Sequence, residues 1–268
     1  GQAAMAQSDI ADIADRETAA TAPDFADEKH RILAEVFGFP GFRPGQEEII
    51  DALMGGKSVL AVMPTGAGKS LCFQVPALAL GGLTIVVSPL LALMQDQVSA
   101  LQLAGVRAET INSARGRGEN VDVWRRVSAG EVSLLYLSPE RLMTPRMLDA
   151  LARLPVSLVA VDEAHCISQW GPAFRPEYAD LVRLRALFPD AAMVALTATA
   201  DAITRRDIAD KLFGENAKIF VQGFDRPNIH LAVTFKQDWK QQMLAFLRRH
   251  DGESGIIYCL SRKKTEET

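Results

Sequence analysis

Residues 58–70 read SVLAVMPTGAGKS, and this stretch decides the fold. Its first six residues form an apolar run without polar alternation, the pattern of a strand buried on both faces. The next residues, MPTGAGKS (63–70), are a Gly-rich turn, and LCFQVPAL after them suits a helix. A buried strand, a glycine turn and a helix in that order make the first unit of an α/β fold. In such a turn Gly66 and Gly68 let backbone N–H groups point inward, where they cradle phosphates. Lys69 can reach the β- and γ-phosphates, and the Ser70 hydroxyl can ligate Mg²⁺. The helix that follows adds its N-terminal dipole. The strict GxxxxGK[ST] pattern has Gly where this chain has Met63. The plainer alternative is a glycine turn carrying a solvated lysine.

Outward from this turn, the chain repeats the same alternation. LTIVV (83–87), VRAETI (106–111), SLLYL (133–137), SLVAVD (157–162) and MVALT (193–197) are short apolar runs. Each is separated from the next by enough residues for a helix. The pattern predicts a doubly wound parallel sheet with helices on both faces. Before it, HRILAEVF and QEEIIDALMGG have helical spacing and stop at glycines. After it, LAVTF (231–235), a helix near 238–249 and GIIYC (255–259) read as the start of a second α/β unit. The expected organisation is an acidic, unstructured tail over 1–28, a first domain over 29–222, a linker over 223–230 and the truncated start of a second domain over 231–268.

The 268 residues carry a net charge of −4. Seven acids and two bases lie in residues 1–29, and the remaining 26 acids and 27 bases leave a net of +1. A near-neutral body neither requires nor excludes a nucleic-acid partner, because a local basic groove suffices. No apolar run reaches the ~18 residues that span a bilayer. The three cysteines, Cys72, Cys166 and Cys259, form no CxxC pair, so neither a zinc site nor a disulfide framework is indicated. A reducing cytoplasm is the simplest compartment.

A phosphate turn needs a metal partner, and SLVAVD supplies one. Asp162 ends an apolar strand, so its carboxylate emerges at the carboxyl edge of the sheet, where ligands of α/β proteins bind. It suits Mg²⁺ beside Ser70. Glu163 is placed to orient or deprotonate an attacking water. The alternative is a pair of surface acids capping the next helix. His165 is either structural or a link between the γ-phosphate and the following loop. That loop is polar yet carries Gln169, Trp170, Phe174, Arg175 and Tyr178.

Taken together, these segments resemble the RecQ family of DNA helicases, within helicase superfamily 2, over roughly residues 30–268. FGFPGFRPGQEEII (37–50) is similar to the family's adenine-recognition motif, and MPTGAGKSLCFQVPAL to its phosphate loop. VVSPLLALMQDQV (86–98) and LYLSPERL (135–142) resemble its single-strand contact motifs. DEAHCISQWG (162–171) resembles its metal motif and aromatic-rich loop, and ALTATA (195–200) its coupling motif. GFDRPNI (223–229) and GIIYCLSRKKTEET (255–268) resemble its interdomain linker and the first motif of its second motor domain.

The resemblance implies a fold of RecA-like domains and an ATP-dependent, 3′ to 5′ DNA-unwinding activity used in recombination and repair, in a bacterial cytoplasm or nucleoid. It implies ATP and Mg²⁺ as ligands, with single-stranded or duplex-junction DNA as partner and no membrane. Phe39 would stack on adenine with Arg43 alongside, and Gln46 would bond the adenine edge. Thr65, Gly66, Ala67, Gly68, Lys69 and Ser70 would hold the phosphates. Ser70 and Asp162 would hold the metal, with Glu163, Asp162, Lys69 and His165 as the catalytic set. Ser138, Glu140 and Arg141 would touch the strand, and Thr197 and Thr199 would relay between ATP and DNA. Gln169, Trp170, Phe174 and Arg175 would form a sensor on which bases stack without sequence preference. Read without the resemblance, Phe37, Phe39 and Phe42 suit a core, Thr199 or Asp201 a helix cap, and Trp170 and Tyr178 packing under the loop.

Two departures stand out. The family commonly reads QWGHDFRPEY where this chain has Pro172 and Ala173, which implies DNA-to-ATP coupling that is weakened or differently tuned. The resemblance also ends just inside the second motor domain, where the family carries an arginine finger. By itself the chain is therefore expected to bind ATP but to hydrolyse it and unwind DNA poorly. A non-catalytic, nucleotide-dependent DNA-binding or regulatory module and a superfamily 2 RNA helicase are the competing readings. A transporter ATPase is weaker, as no LSGGQ-like segment is present.

Overall fold

The structure, a computed structural model, describes residues 27–64, 66–214, 217–223, 228–230 and 232–266. Most of the expected acidic tail, Thr65 and the centre of the GFDRPNI segment lie outside the described residues. The chain falls into two compact units, Gly1–Phe224 and Asp225–Thr268.

In the first unit, helices α1 (Glu28–Glu35) and α2 (Gln46–Met54) precede the sheet. The sheet then alternates with helices: β1 (Val59–Val62), α3 (Leu71–Leu80), β2 (Leu83–Val87), α4 (Leu91–Leu103), β3 (Ala108–Thr110), α5 (Arg117–Ser128) and β4 (Leu134–Leu137). Two short helices, α6 (Pro139–Leu142) and α7 (Pro145–Leu151), lead to β5 (Val156–Val161). Turns of 3-10 helix at Ala164–Ile167 and Pro176–Arg183 and helix α8 (Leu184–Leu187) lead to β6 (Ala192–Thr197), α9 (Ala202–Phe213) and β7 (Lys218–Val221).

The seven strands lie in the order β3-β4-β2-β5-β6-β1-β7, and every pairing is parallel. Strand side chains alternate between faces, which explains the continuous apolar runs. Leu60, Val62, Ile85, Val87, Val159 and Val161 pack against α5, α7 and α9 on one face. Val59, Ala61, Val86, Leu158 and Ala160 pack against α2, α3 and α4 on the other. Both faces are dry, so the carboxyl edge of the strands is where polar residues can gather.

That edge is held in register by bonds beyond the strands themselves. Met63 N–H donates to Thr197 O at 3.0 Å, Asp162 N–H to Val87 O at 2.9 Å and Gln222 N–H to Val62 O at 2.9 Å. The turns that follow β1 and β6 therefore start level with one another, Val62 standing opposite Thr197, and β5 ends two residues earlier, with Val161 opposite Ala195.

The second unit contains α10 (Trp239–Arg249) and α11 (Arg262–Glu266). Asp238 caps α10, accepting from Gln241 N–H at 3.2 Å. The strands expected at LAVTF and GIIYC are absent among the described residues, and Tyr258 is 89% exposed. An apolar run becomes a strand only when a neighbouring edge takes its N–H and C=O groups, and the described part of this unit offers none. Among the described residues, no helix is long and apolar enough to cross a membrane.

Candidate functional site

The phosphate turn bends as its glycines require. Gly66 and Gly68 have φ of +83° and +76°, a region that side chains with a Cβ disfavour. Among the described residues, the backbone N–H groups of Gly68, Lys69 and Ser70 donate to no acceptor. They stand immediately before α3, whose N-terminal dipole adds to their positive potential. Unpaired amides at a helix start are a fitted cradle for an anion.

The segment before α2 grips this turn from outside. Gln46, only 1% exposed, donates from Nε2 to Gly68 O at 3.0 Å and accepts at Oε1 from Arg43 N–H at 2.8 Å. Arg43 Nη1 donates to Gly66 O at 2.6 Å. A Cβ on Gly68 would meet Gln46 Nε2 at 2.4 Å and displace that amide, and the φ of +76° is what favours glycine there. Phe39, Arg43, Gln46, Gly68, Ser70 and Gln74 help to line a cavity of about 280 Å³. The phenylalanine cluster divides: Phe37 and Phe42 pack against the core, whereas Phe39 is 45% exposed at this cavity.

Asp162 and Glu163 are not a surface pair. Asp162 is 8% exposed, and its Oδ1 accepts from Glu163 N–H at 2.9 Å. Glu163 has φ of +51° and is the one non-glycine residue with positive φ among the described residues. Such a conformation costs about 1 kcal/mol or more and clusters at working sites. Here it turns the chain sharply off β5 directly after the buried carboxylate. Tyr178, fully buried, fixes the turn from below by donating its hydroxyl to Asp162 O at 3.0 Å.

Burial, followed by the adjacent Glu163 charge, pushes the Asp162 carboxyl up from 3.8 to about 6; the Glu163 N–H and the Lys69 ammonium pull it down. The folded protein thus holds a proton that the unfolded chain gives up. The stabilisation is full below about pH 4 and is lost as the pH rises through about 6. Near neutrality the carboxylate is buried in its charged form at a cost. In metal-free protein, Asp162→Asn should therefore raise Tm by several degrees near pH 7, with the gain vanishing near pH 4. Thermal unfolding at the two pH values measures this, and equal gains at both would contradict it. The donor set suits Mg²⁺, because a desolvated carboxylate and the Ser70 hydroxyl are the hard oxygen ligands that ion selects.

His165 Nδ1 lies 2.8 Å from Thr197 Oγ1. The Thr197 hydroxyl donates to Thr199 O at 3.0 Å and accepts from Thr199 N–H at 3.2 Å. The hydroxyl can give its one proton to Thr199 O or to Nδ1, and the imidazole tautomer follows that choice. Nε2 lies 3.5 Å from Glu163 Oε2. Burial lowers the His165 pKa, with Lys69 and Arg175 acting in the same direction against Glu163. The imidazole and the Glu163 carboxylate therefore sit side by side, with Thr197 on the imidazole's other nitrogen. Thr199 does not cap α9; Asp201 does, accepting from Thr204 N–H at 2.7 Å. That leaves Thr199 exposed and bonded back to Thr197.

The aromatic loop continues from this turn. Trp170 is 74% exposed, Gln169 is exposed, and Phe174 and Arg175 are partly exposed. Trp170 does not pack under the loop, while Tyr178 does. Pro172 and Ala173 form an exposed turn. The loop is anchored by residues that the sequence did not single out. Buried Ser168 donates to Asp207 Oδ2 at 2.6 Å, and Lys211 Nζ reaches Asp207 Oδ2 at 3.1 Å and Ile167 O at 3.4 Å. The i,i+4 spacing of Asp207 and Lys211 on α9 was the available signal, and it is common on any helix surface. At the end of β4, Ser138 caps α6 by accepting from Arg141 N–H at 3.3 Å. Ser138, Glu140 and Arg141 line a hollow of about 490 Å³. The structure thus brings the phosphate turn, the acid pair, His165, Thr197 and Thr199 to one edge, and Thr65 lies outside the described residues.

Comparison with known proteins accords with this geometry. The family model of the DEAD/DEAH box helicases matches residues 43–208. The chain is 47% identical over 235 residues to the ATP-dependent DNA helicase RecQ of Haemophilus influenzae, which covers 88% of this chain and 38% of that protein. It is 40% identical over 240 residues to a probable ATP-dependent DNA helicase RecS of Bacillus subtilis, covering 88% of this chain and 48% of that one. The chain thus spans less than half the length of these curated relatives. Among solved structures, the DUF1998 helicase MrfA bound to DNA is similar in fold, with a TM-score of 0.60 and 18% identity over 75% of this chain and 30% of that one.

Proposed function

We propose, from the premise that the chain belongs to the DEAD/DEAH box helicase family, that it is the ATP-binding motor portion of a RecQ-type DNA helicase. The observation that carries this reading is one continuous connection. The acid pair, His165, Thr197 and Thr199 are linked at the carboxyl edge, and the same turn carries Trp170 into solvent.

ATP is the substrate. Its adenine lies against Phe39 in the cavity beside the phosphate turn, and its phosphates take the backbone amides of Gly68, Lys69 and Ser70. Gln46 and Arg43, which hold the turn's carbonyls in the free protein, exchange those bonds for the nucleotide. Ser70 and Asp162 would hold Mg²⁺, which supplies charge neutralisation at the β- and γ-phosphates. Glu163 accepts from a water molecule and takes its proton, and His165 beside it orients that carboxylate. The water oxygen bonds to the γ-phosphorus, and ADP leaves with the electrons of the broken P–O bond. Among the described residues, Arg43 is the only arginine hydrogen-bonded to the phosphate turn, and it serves a carbonyl. Lys69 is the cation of the turn itself and faces the charge on the transferring group; by itself this portion turns ATP over slowly and unwinds poorly.

Single-stranded DNA, at a duplex junction in the whole protein, is the partner. Bases stack on Trp170 and Phe174, Gln169 and Arg175 contact the strand, and Ser138 and Arg141 bind beyond. Strand binding shifts the turn that carries Glu163 and His165, so DNA stimulates hydrolysis. Residues 29–222 form the first motor domain, 223–230 the linker and 231–268 the start of a second. The process served is recombination and repair, in a bacterial cytoplasm. ATP turnover with matched DNA and RNA oligonucleotides tests the reading. DNA should stimulate more strongly, and equal or greater stimulation by RNA would favour an RNA helicase.

A further inference from the structure

A second hollow, of about 600 Å³, lies beyond the strand-contact residues, walled by α5 and α7. Its lining includes four arginines, Arg115, Arg117, Arg141 and Arg146, and no acid. Arg115 is paired with buried Glu109 at 3.5 Å, which fixes its position. Arg117, Arg141 and Arg146 make no ion pair among the described residues. Trp124, half-buried, and Met147 form its apolar wall. Uncompensated guanidiniums around a flat indole call for an anion that also carries planar apolar groups.

The hollow shares Ser113, Arg141 and Thr144 with the one lined by Ser138 and Glu140. We propose that it is an additional subsite for single-stranded DNA, in which one base stacks on Trp124 and flanking phosphates pair with Arg117 and Arg146. This rests on the proposed function, since it extends the same strand past Arg141. Arginine suits the role because its planar fork pairs phosphate bidentately and stacks on bases. A peptide with acidic and apolar side chains would match the charge, but not the continuity with the strand path.

The test is fluorescence anisotropy of labelled oligothymidylates of increasing length on the whole chain. Arg117→Ala/Arg146→Ala should leave the shortest bound oligonucleotides unaffected and weaken the longer ones. The slope of log K against log salt for the longer ones should fall by about 1.4, ~0.7 for each phosphate that no longer meets a guanidinium. Trp124→Ala should weaken the longer ones roughly tenfold, and Trp124→Phe, which keeps a flat ring, should restore most of this. Both arginines are exposed, so the double variant should keep its fold, and its Tm checks this. Wild-type length dependence and salt slope in the double variant would overturn the subsite alone. If the wild type bound no strand at any length, the proposed function would fail and this with it. An acidic, apolar peptide that binds the wild type and not the double variant, with strand binding unchanged, would assign the hollow to a protein partner and overturn the proposal.

Discussion

Glu163→Gln should reduce ATP turnover by about 10²–10⁴-fold while leaving ATP binding intact, the loss expected when a positioned general base is removed. Glutamine has the same shape and tolerates the same backbone, so the left-handed turn at φ of +51° stays as it is. The backbone N–H of residue 163 still donates to Asp162 Oδ1, so the carboxylate proposed to hold Mg²⁺ remains in place. What disappears is the carboxylate beside His165 Nε2. The neighbouring charge that helps to raise the Asp162 carboxyl disappears as well, so Asp162 ionises at lower pH. Mg²⁺ should therefore bind the variant at least as well, and only the chemical step should suffer. Single-turnover hydrolysis of radiolabelled ATP and equilibrium binding of a labelled analogue separate the two. Equal loss of binding and turnover would show that Glu163 holds the site together and does not act on water.

Lys69→Ala should reduce turnover by about 10²–10³-fold, the cost of removing one preorganised donor to transition-state charge, and should also weaken ATP binding. Its second consequence is specific to this site. Lys69 helps to hold the Asp162 carboxyl down against burial and the Glu163 charge. Without the ammonium that carboxyl titrates at a higher pH. The pH dependence of Mg²⁺ binding should shift upward, so the variant loses more affinity near pH 6 than well above it. Isothermal titration with Mg²⁺ and nucleotide across that range reads the shift. A uniform loss at every pH would mean that Lys69 and Asp162 are not coupled.

The parallel sheet was legible because strands buried on both faces read as unbroken apolar runs, and LTIVV and MVALT became β2 and β6 almost to the residue. Strand β7 was missed for the opposite reason. KIFV is a half-exposed edge, made a strand by pairing with β1, with Val59 opposite Lys218, and local sequence does not show that partner. LAVTF and GIIYC carried the apolar signal without a partner edge among the described residues. In the site, the acids and the phosphate turn could be read because their residue types are tied to position at a strand end. The present work of Gln46, bonded to a carbonyl 22 residues away, could not be read. Nor could the anchoring of the aromatic loop through Ser168 to Asp207, 39 residues on. Both depend on approaches that only the folded sheet creates.

In the proposed function, strand binding at the aromatic loop governs hydrolysis at the acid pair. The most direct measurement is Mg²⁺-dependent ATP turnover with and without single-stranded DNA, comparing the wild type with Trp170→Ala. Trp170 is 74% exposed, so its removal should not disturb the core. DNA should clearly stimulate the wild type and have little or no effect on the variant, at equal basal rates. Undiminished stimulation in Trp170→Ala, or a wild type indifferent to DNA, would contradict it.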